Sequence, residues 1–146
     1  MKSLFFDASY IVKLHWREPG SNEVLAEADK ADEIVCSLHG RAEFYSVGLR
    51  KVREGRATSP AVAGVFSQFN ADIAAGEIRM IPLTDAILQR VEKVFATAPS
   101  NTYLRAADAL HLATAAENGF TEIYSNDKHM LAAAPLFGLA GVNVIL

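Results

Sequence analysis

The chain has 146 residues, 51% of them hydrophobic and 21% charged, with a formal net charge of −3. That length suits one domain, residues 1–146, with a core of its own; the ordinary composition excludes disordered and collagen-like classes, and the lack of a run of about 18 apolar residues excludes a helical membrane span. The negative charge weighs against a module that binds nucleic acid through a basic surface alone, and the single cysteine, Cys36, fits a buried thiol and a reducing cytoplasm.

The first strand is expected at Lys2–Phe6, followed at once by Asp7, an acid too early for a secretory leader. "SYIVKLHW" reads as a helix capped by Ser9, broken by Pro19 and Gly20, and Ser21 is placed to cap a second helix over Asn22–Lys30. The β-branched run Ile34–Ser37 predicts a strand, and Leu38–Glu54 has helical spacing closed by Gly55. Ser59 and Pro60 are a helix start running to about Ala75, "IRMIPL" is a third strand, and Thr84 caps a helix over Asp85–Ala98. An alanine-rich helix over Leu104–Asn118, a strand "TEIYS", a short helix over Lys128–Ala133 and a last strand over Val142–Leu146 complete the chain. Strands alternating with helices predict an α/β domain with a mainly parallel sheet covered on both faces.

In such a sheet ligands bind at the carboxyl ends of the strands. Asp7 follows the first strand, Asp127 follows "TEIYS" after one residue, and Glu43 and Asp108 lie early in helices that begin at the same edge. Each has an ordinary structural role open to it: Asp7 and Asp127 as N-caps, Asp108 as an acid favoured near a helix N-terminus, Glu43 as a solvated helix residue. If the four converge, two unit charges ~5 Å apart at an effective dielectric of about 20 repel by roughly 3 kcal/mol. Either some stay protonated or a cation joins them. Hard oxygen donors suit Mg²⁺ or Mn²⁺, and His15, His39, His111 and His129 show no zinc spacing. A divalent ion on an open edge handles phosphates, so a phosphodiester substrate is the natural expectation.

"FFDASYIVKLHWREPGS", "RAEFYSVGLRKVREG", "RAADALHLATAAENG" and "YSNDKHMLAAAPLFG" occur in this order. On them the chain resembles PIN-domain ribonucleases, in particular VapC-type toxins of bacterial type II toxin–antitoxin pairs. The resemblance implies a three-layer α/β/α domain with a parallel sheet of about five strands. It implies a cytoplasmic, metal-dependent endoribonuclease that hydrolyses RNA phosphodiester bonds with a metal-activated water. Asp7, Glu43, Asp108 and Asp127 match the family's acids that bind Mg²⁺ or Mn²⁺, and Ser9 and Ser125 match hydroxyls beside them. Lys128, His129 and Met130 stand where some members carry a further acid. A cognate antitoxin and a homodimer are the implied partners, with Tyr10–Trp16 and Ala61–Ile73 as candidate contact helices.

Arg105 and Lys128 are candidate substrate contacts, and the basic cluster Arg50–Arg56 is either a solvated helix end or a phosphate contact. His111 and His129 are read as structural or peripheral, and Trp16, Tyr45 and Tyr103 as core or partner residues before base-stacking ones. Two rivals are a receiver-like Mg²⁺-binding signalling domain, which would want paired acids after its first strand, and a catalytically inactive PIN-like interaction module.

Overall fold

Alternate residues of the central strands point to opposite faces, and this sets the layers. In the computed structural model, which describes Met1–Leu146, β1 (Ser3–Phe5) sends Leu4 to one core and Phe5 to the other. β2 (Glu33–Ser37) splits likewise, with Ile34 and Cys36 against Val35. On the Leu4 side lie α1 (Ala8–His15), α2 (Ser21–Ala28), α3 (Gly40–Arg53) and α4 (Ser59–Ala74), contributing Tyr10, Val24, Phe44 and Phe69. On the Phe5 side lie α5 (Asp85–Thr97), α6 (Ala106–Glu117) and α7 (Lys128–Ala133), contributing Ile87, Leu112 and Met130. Full burial of such side chains stabilises the fold by about 1.5–3 kcal/mol each.

β2 lies between β1 and β3 (Ile78–Ile81), with Leu4 opposite Ile34 and Ile34 opposite Ile78. β4 (Glu122–Tyr124) pairs with β5 (Ala140–Val142), Ile123 opposite Gly141. Every pairing is parallel, and a parallel bridge between Phe6 and Tyr124 joins the two pieces. The spatial order is therefore β3-β2-β1-β4-β5. The order reverses between β1 and β4, which opens a crevice at their carboxyl ends. This is the three-layer, mainly parallel architecture expected from the alternation of elements.

The helix starts depart from the sequence expectation by one or two residues. Asp7, not Ser9, caps α1, and Gly20 precedes α2 in a left-handed conformation (φ 93°). Ser21 instead donates to the Trp16 carbonyl and accepts from the Glu18 N–H, closing the turn between the helices. Thr58 rather than Ser59 caps α4, while Thr84 caps α5 as expected. The last strand ends at Val142, two residues after it begins. The following tail is held differently: the Tyr10 hydroxyl donates to Asn143 Oδ1 (2.7 Å) and accepts from the Val144 N–H (2.7 Å). Tyr10, Ile11 and Val12 are core residues, so these apolar side chains of α1 are spent inside the molecule. α4 buries Val62 and Phe69, with Phe69 stacked on Phe44 at 4.0 Å. α3 and α4 approach closely at Gly48, where a Cβ would stand 2.5 Å from Phe66 Cζ. No helix is long and apolar enough to cross a membrane.

Candidate active site

Asp7 leaves β1 with its N–H on the Tyr124 carbonyl (3.0 Å), so its backbone is pinned at the reversal point. Asp7 as a whole is only 3% exposed. Oδ1 accepts from the Ser9 hydroxyl (2.6 Å) and the Tyr10 N–H (3.1 Å), and Oδ2 from the Ser125 hydroxyl (2.6 Å). Burial raises its pKa against the pull of those bonds and of the His111 charge. Ser125, buried directly after β4, also accepts from the Asp127 N–H (2.9 Å), and Ser9 accepts from the Asn126 N–H (3.2 Å). Two hydroxyls thus couple the ends of β1 and β4.

Asp127 caps α7 through Oδ1, which accepts from the His129 and Met130 N–H groups (2.8 and 3.2 Å). Asp108 projects from the first turn of α6, half-buried, and neither of its oxygens has a partner in the chain. Its pKa is raised by burial first and then by the negative charges of Asp127 and Glu43. Glu43 comes from the first turn of α3, on the opposite layer. All four acids line one cavity of about 320 Å³, with Ser9, Asn126 and Arg105. The sequence placed these acids at one edge; the folded chain brings them into one cavity. The sequence-based candidate Lys128 is exposed at the start of α7 and is not part of the lining.

His111, read from the sequence as structural or peripheral, is structural and not peripheral. It lines the cavity, is buried, and its Nε2 donates to Glu43 Oε1 at 2.5 Å. Burial opposes charge on its ring, but the contacts to Glu43 and Cys36 raise its pKa. Nδ1 makes no hydrogen bond, and burial holds the Cys36 thiol neutral, so Glu43 is the group that retains the imidazolium. In return, and against the effect of burial, His111 keeps the Glu43 carboxyl below its usual pKa. His39, one helical turn before Glu43, stacks on His111 (4.1 Å) and reaches the Ala107 carbonyl (2.9 Å), tying the start of α3 to that of α6. Burial and the His111 charge lower its pKa. His39, Glu43 and His111 form a trio whose donor atoms lie within 4.8 Å of one another. The spacing held the signal: His39 and Glu43 are four apart and Asp108 and His111 three apart, each pair sharing a helix face.

The far wall carries Lys13, Glu18 and Arg50. Lys13 Nζ donates to Glu18 Oε1 (2.9 Å) and the Pro19 carbonyl (2.8 Å), and Lys51 reaches Glu18 Oε2 (3.4 Å) while covering the Trp16 ring (4.9 Å). Lys51 is therefore a buried ion-pair residue and not part of a solvated helix end, whereas Arg50 lines the cavity without a carboxylate partner. The oxygens left over suit a hard cation. Both histidine contacts fall on Glu43 Oε1, both backbone contacts on Asp127 Oδ1, and Asp108 is free at both oxygens. Asp108, Asp127, Glu43 and Asp7 are the residues that could hold one.

The family model for the PIN domain matches residues 4–135. Among solved structures, a chain of FitAcB from Neisseria gonorrhoeae is similar at 17% identity and a TM-score of 0.73, covering 96% of each chain. VapC20 from Mycobacterium tuberculosis, a Sarcin-Ricin loop cleaving toxin, is similar at 18% identity and a TM-score of 0.68, over 89% of this chain and 94% of that one. A chain of VapBC2 from Rickettsia felis bound to a promoter DNA fragment follows at 12% identity and a TM-score of 0.65, over 97% and 98%. No curated protein matches the sequence significantly. A parallel sheet that reverses its order beside β1, acids delivered to that crevice from both helical layers, and a family match over most of its length together show that this chain belongs to the PIN domain family.

Proposed function

We propose that the chain is a Mg²⁺- or Mn²⁺-dependent endoribonuclease and the toxin of a toxin–antitoxin pair. One observation carries this: four carboxylates from four separate elements share a cavity with Asp108 unpartnered and its pKa raised by the acids around it. A divalent ion held there supplies charge neutralisation, a more acidic water and polarisation of a phosphoryl oxygen. Asp108, Asp127 and Glu43 would hold the ion through oxygens not already engaged, and Asp7, both of whose oxygens accept hydrogen bonds, through a remaining lone pair. Ser9 and Ser125 fix the Asp7 carboxylate, as partners of ligating groups do, and His111 fixes Glu43. Arg50 and Arg105 present free guanidinium groups to phosphates at either side of the acids.

The partner part of the reading rests on the structural neighbours, which include FitAcB, VapBC2 bound to a promoter DNA fragment, a member of the VapBC family of toxin–antitoxin systems and the Sarcin-Ricin loop cleaving toxin VapC20. An antitoxin segment would cover the groove, two copies of the chain would pair, and the protein would act in the cytoplasm, where its RNA is. The family assignment removes the receiver-like rival. One observation favours a second reading, an inactive interaction module: Glu43 is already bound by His111. Both readings meet the same test. The purified chain is incubated with structured RNA and Mg²⁺, beside an Asp7→Asn variant and an EDTA control. Cleavage that falls at least a hundredfold in both controls is expected; cleavage indifferent to either, or none by the parent chain, overturns the nuclease reading.

A further inference from the structure

The acid cavity does not end at Asp108 and Asp127. A second cavity of about 320 Å³ shares those two acids and Arg105 with it and is bounded on its outer side by Tyr103 and His129. A third, of about 260 Å³, lies against the same pair, so Tyr103 and His129 stand as a wall between two hollows. The two rings are 5.4 Å apart and tilted by 35°, an offset arrangement that leaves ring face available. Tyr103 is 73% exposed, its hydroxyl makes no hydrogen bond within the chain, and the His129 ring nitrogens are likewise free. An aromatic side chain so exposed contributes little to the fold. Arg105, between this wall and the acids, has no carboxylate in ion-pair reach despite lining the same space as two of them.

From this juxtaposition, and resting on the ribonuclease reading above, we infer that the second cavity is a nucleobase subsite. The base of the nucleotide next to the scissile phosphate stacks on Tyr103, beside His129, while Arg105 meets that nucleotide's phosphate. Stacking on an aromatic face tolerates any base, and Arg is suited to a phosphate by its planar fork of donors. A paired base keeps both faces inside its helix, so the subsite selects a nucleotide that is unstacked, as in a loop, bulge or single strand. The cavity therefore assigns a role to Tyr103 that its position in the loop before α6 does not require.

The test is direct binding, measured by fluorescence anisotropy with Ca²⁺ in place of Mg²⁺, of a labelled short single-stranded oligoribonucleotide. The parent chain is compared with Tyr103→Ala and Tyr103→Phe. We expect Tyr103→Ala to bind about tenfold more weakly and Tyr103→Phe to stay within about twofold of the parent. The same strand annealed to its complement should not distinguish the variants. Unchanged melting of Tyr103→Ala shows that folding is intact. Equal binding of single strand by the parent and Tyr103→Ala, or equal loss in Tyr103→Phe and Tyr103→Ala, overturns the subsite alone. Absence of binding by the parent overturns the subsite and the ribonuclease reading together, whereas binding that depends on Tyr103 without cleavage in Mg²⁺ overturns only the latter.

Discussion

The Asp7 carboxylate is buried, yet it forms no ion pair; two hydroxyls and one backbone N–H hold it. Asp108 has not even these. Its neighbours are Asp127, Glu43 and Asp7, and burial and their charges raise its pKa. A carboxyl whose pKa rises on folding costs stability once the pH exceeds its unfolded value, and the cost is complete above the folded one. Asp108→Asn removes that cost. Without metal at neutral pH the variant is expected to melt about 2 °C higher than the parent, a small gain because the group is half exposed and solvent screens it. The gain disappears as pH falls below the unfolded carboxyl value of about 3.9. Calorimetry across pH in EDTA checks this, and an Asn variant less stable than the parent at neutral pH contradicts crowding of the acids.

At the scale of elements, Glu18 joins the turn after α1 to the last turn of α3 by bridging Lys13 and Lys51. Burial works against its charge, but the Lys13 and Lys51 contacts prevail and lower its pKa. That sign means the bridge contributes stability above the unfolded value and loses it as pH falls through the folded value. Glu18→Gln is expected to cost about 1–2 kcal/mol at neutral pH, less than a fully buried pair because water reaches the site. Urea melts should show the gap to the parent closing in acid. None of this was legible in "WREPGS", because a charge is paired by what folds against it. Element identity was legible where an element has a periodic core, as with Ile87–Val91–Val94 in α5 and Ile34–Cys36 in β2; β5 has none, its Ala140 and Gly141 being exposed. What shifted were the ends. Ser9 and Ser59 look like caps by composition, but Asp7 and Thr58 stand one or two residues earlier where the backbone is still extended. The last strand was misplaced because "VNVIL" has strand composition, while pairing with β4 needs the glycine-containing segment Ala140–Val142 and leaves the tail to Tyr10.

At the scale of the whole molecule, the positions of the four acids follow from topology, which is why strand and helix order sufficed to group them. Their partners do not follow from it. His111 reaches Glu43 across two layers, and Lys13 enters the same cavity from α1, contacts that depend on how far each helix leans over the sheet. The convergence has a measurable consequence for the molecule as a unit. The unfolded chain separates Asp7 from Asp127 by most of its length and has no site, so any ion the cavity takes binds the folded state alone. Such an ion stabilises by an amount set by its concentration over its dissociation constant, about 2.7 kcal/mol at a hundredfold excess. For a chain of this size that is a rise of roughly 6–10 °C in melting temperature with Mg²⁺ or Mn²⁺. Asp7→Asn should retain the fold, since Asn also caps helices, and lose most of the metal-induced rise. Asp108→Asn should start higher without metal and gain less with it, so that the two melting curves cross as metal is added. Parallel curves for the parent and both variants would mean that the acids share a cavity without sharing an ion.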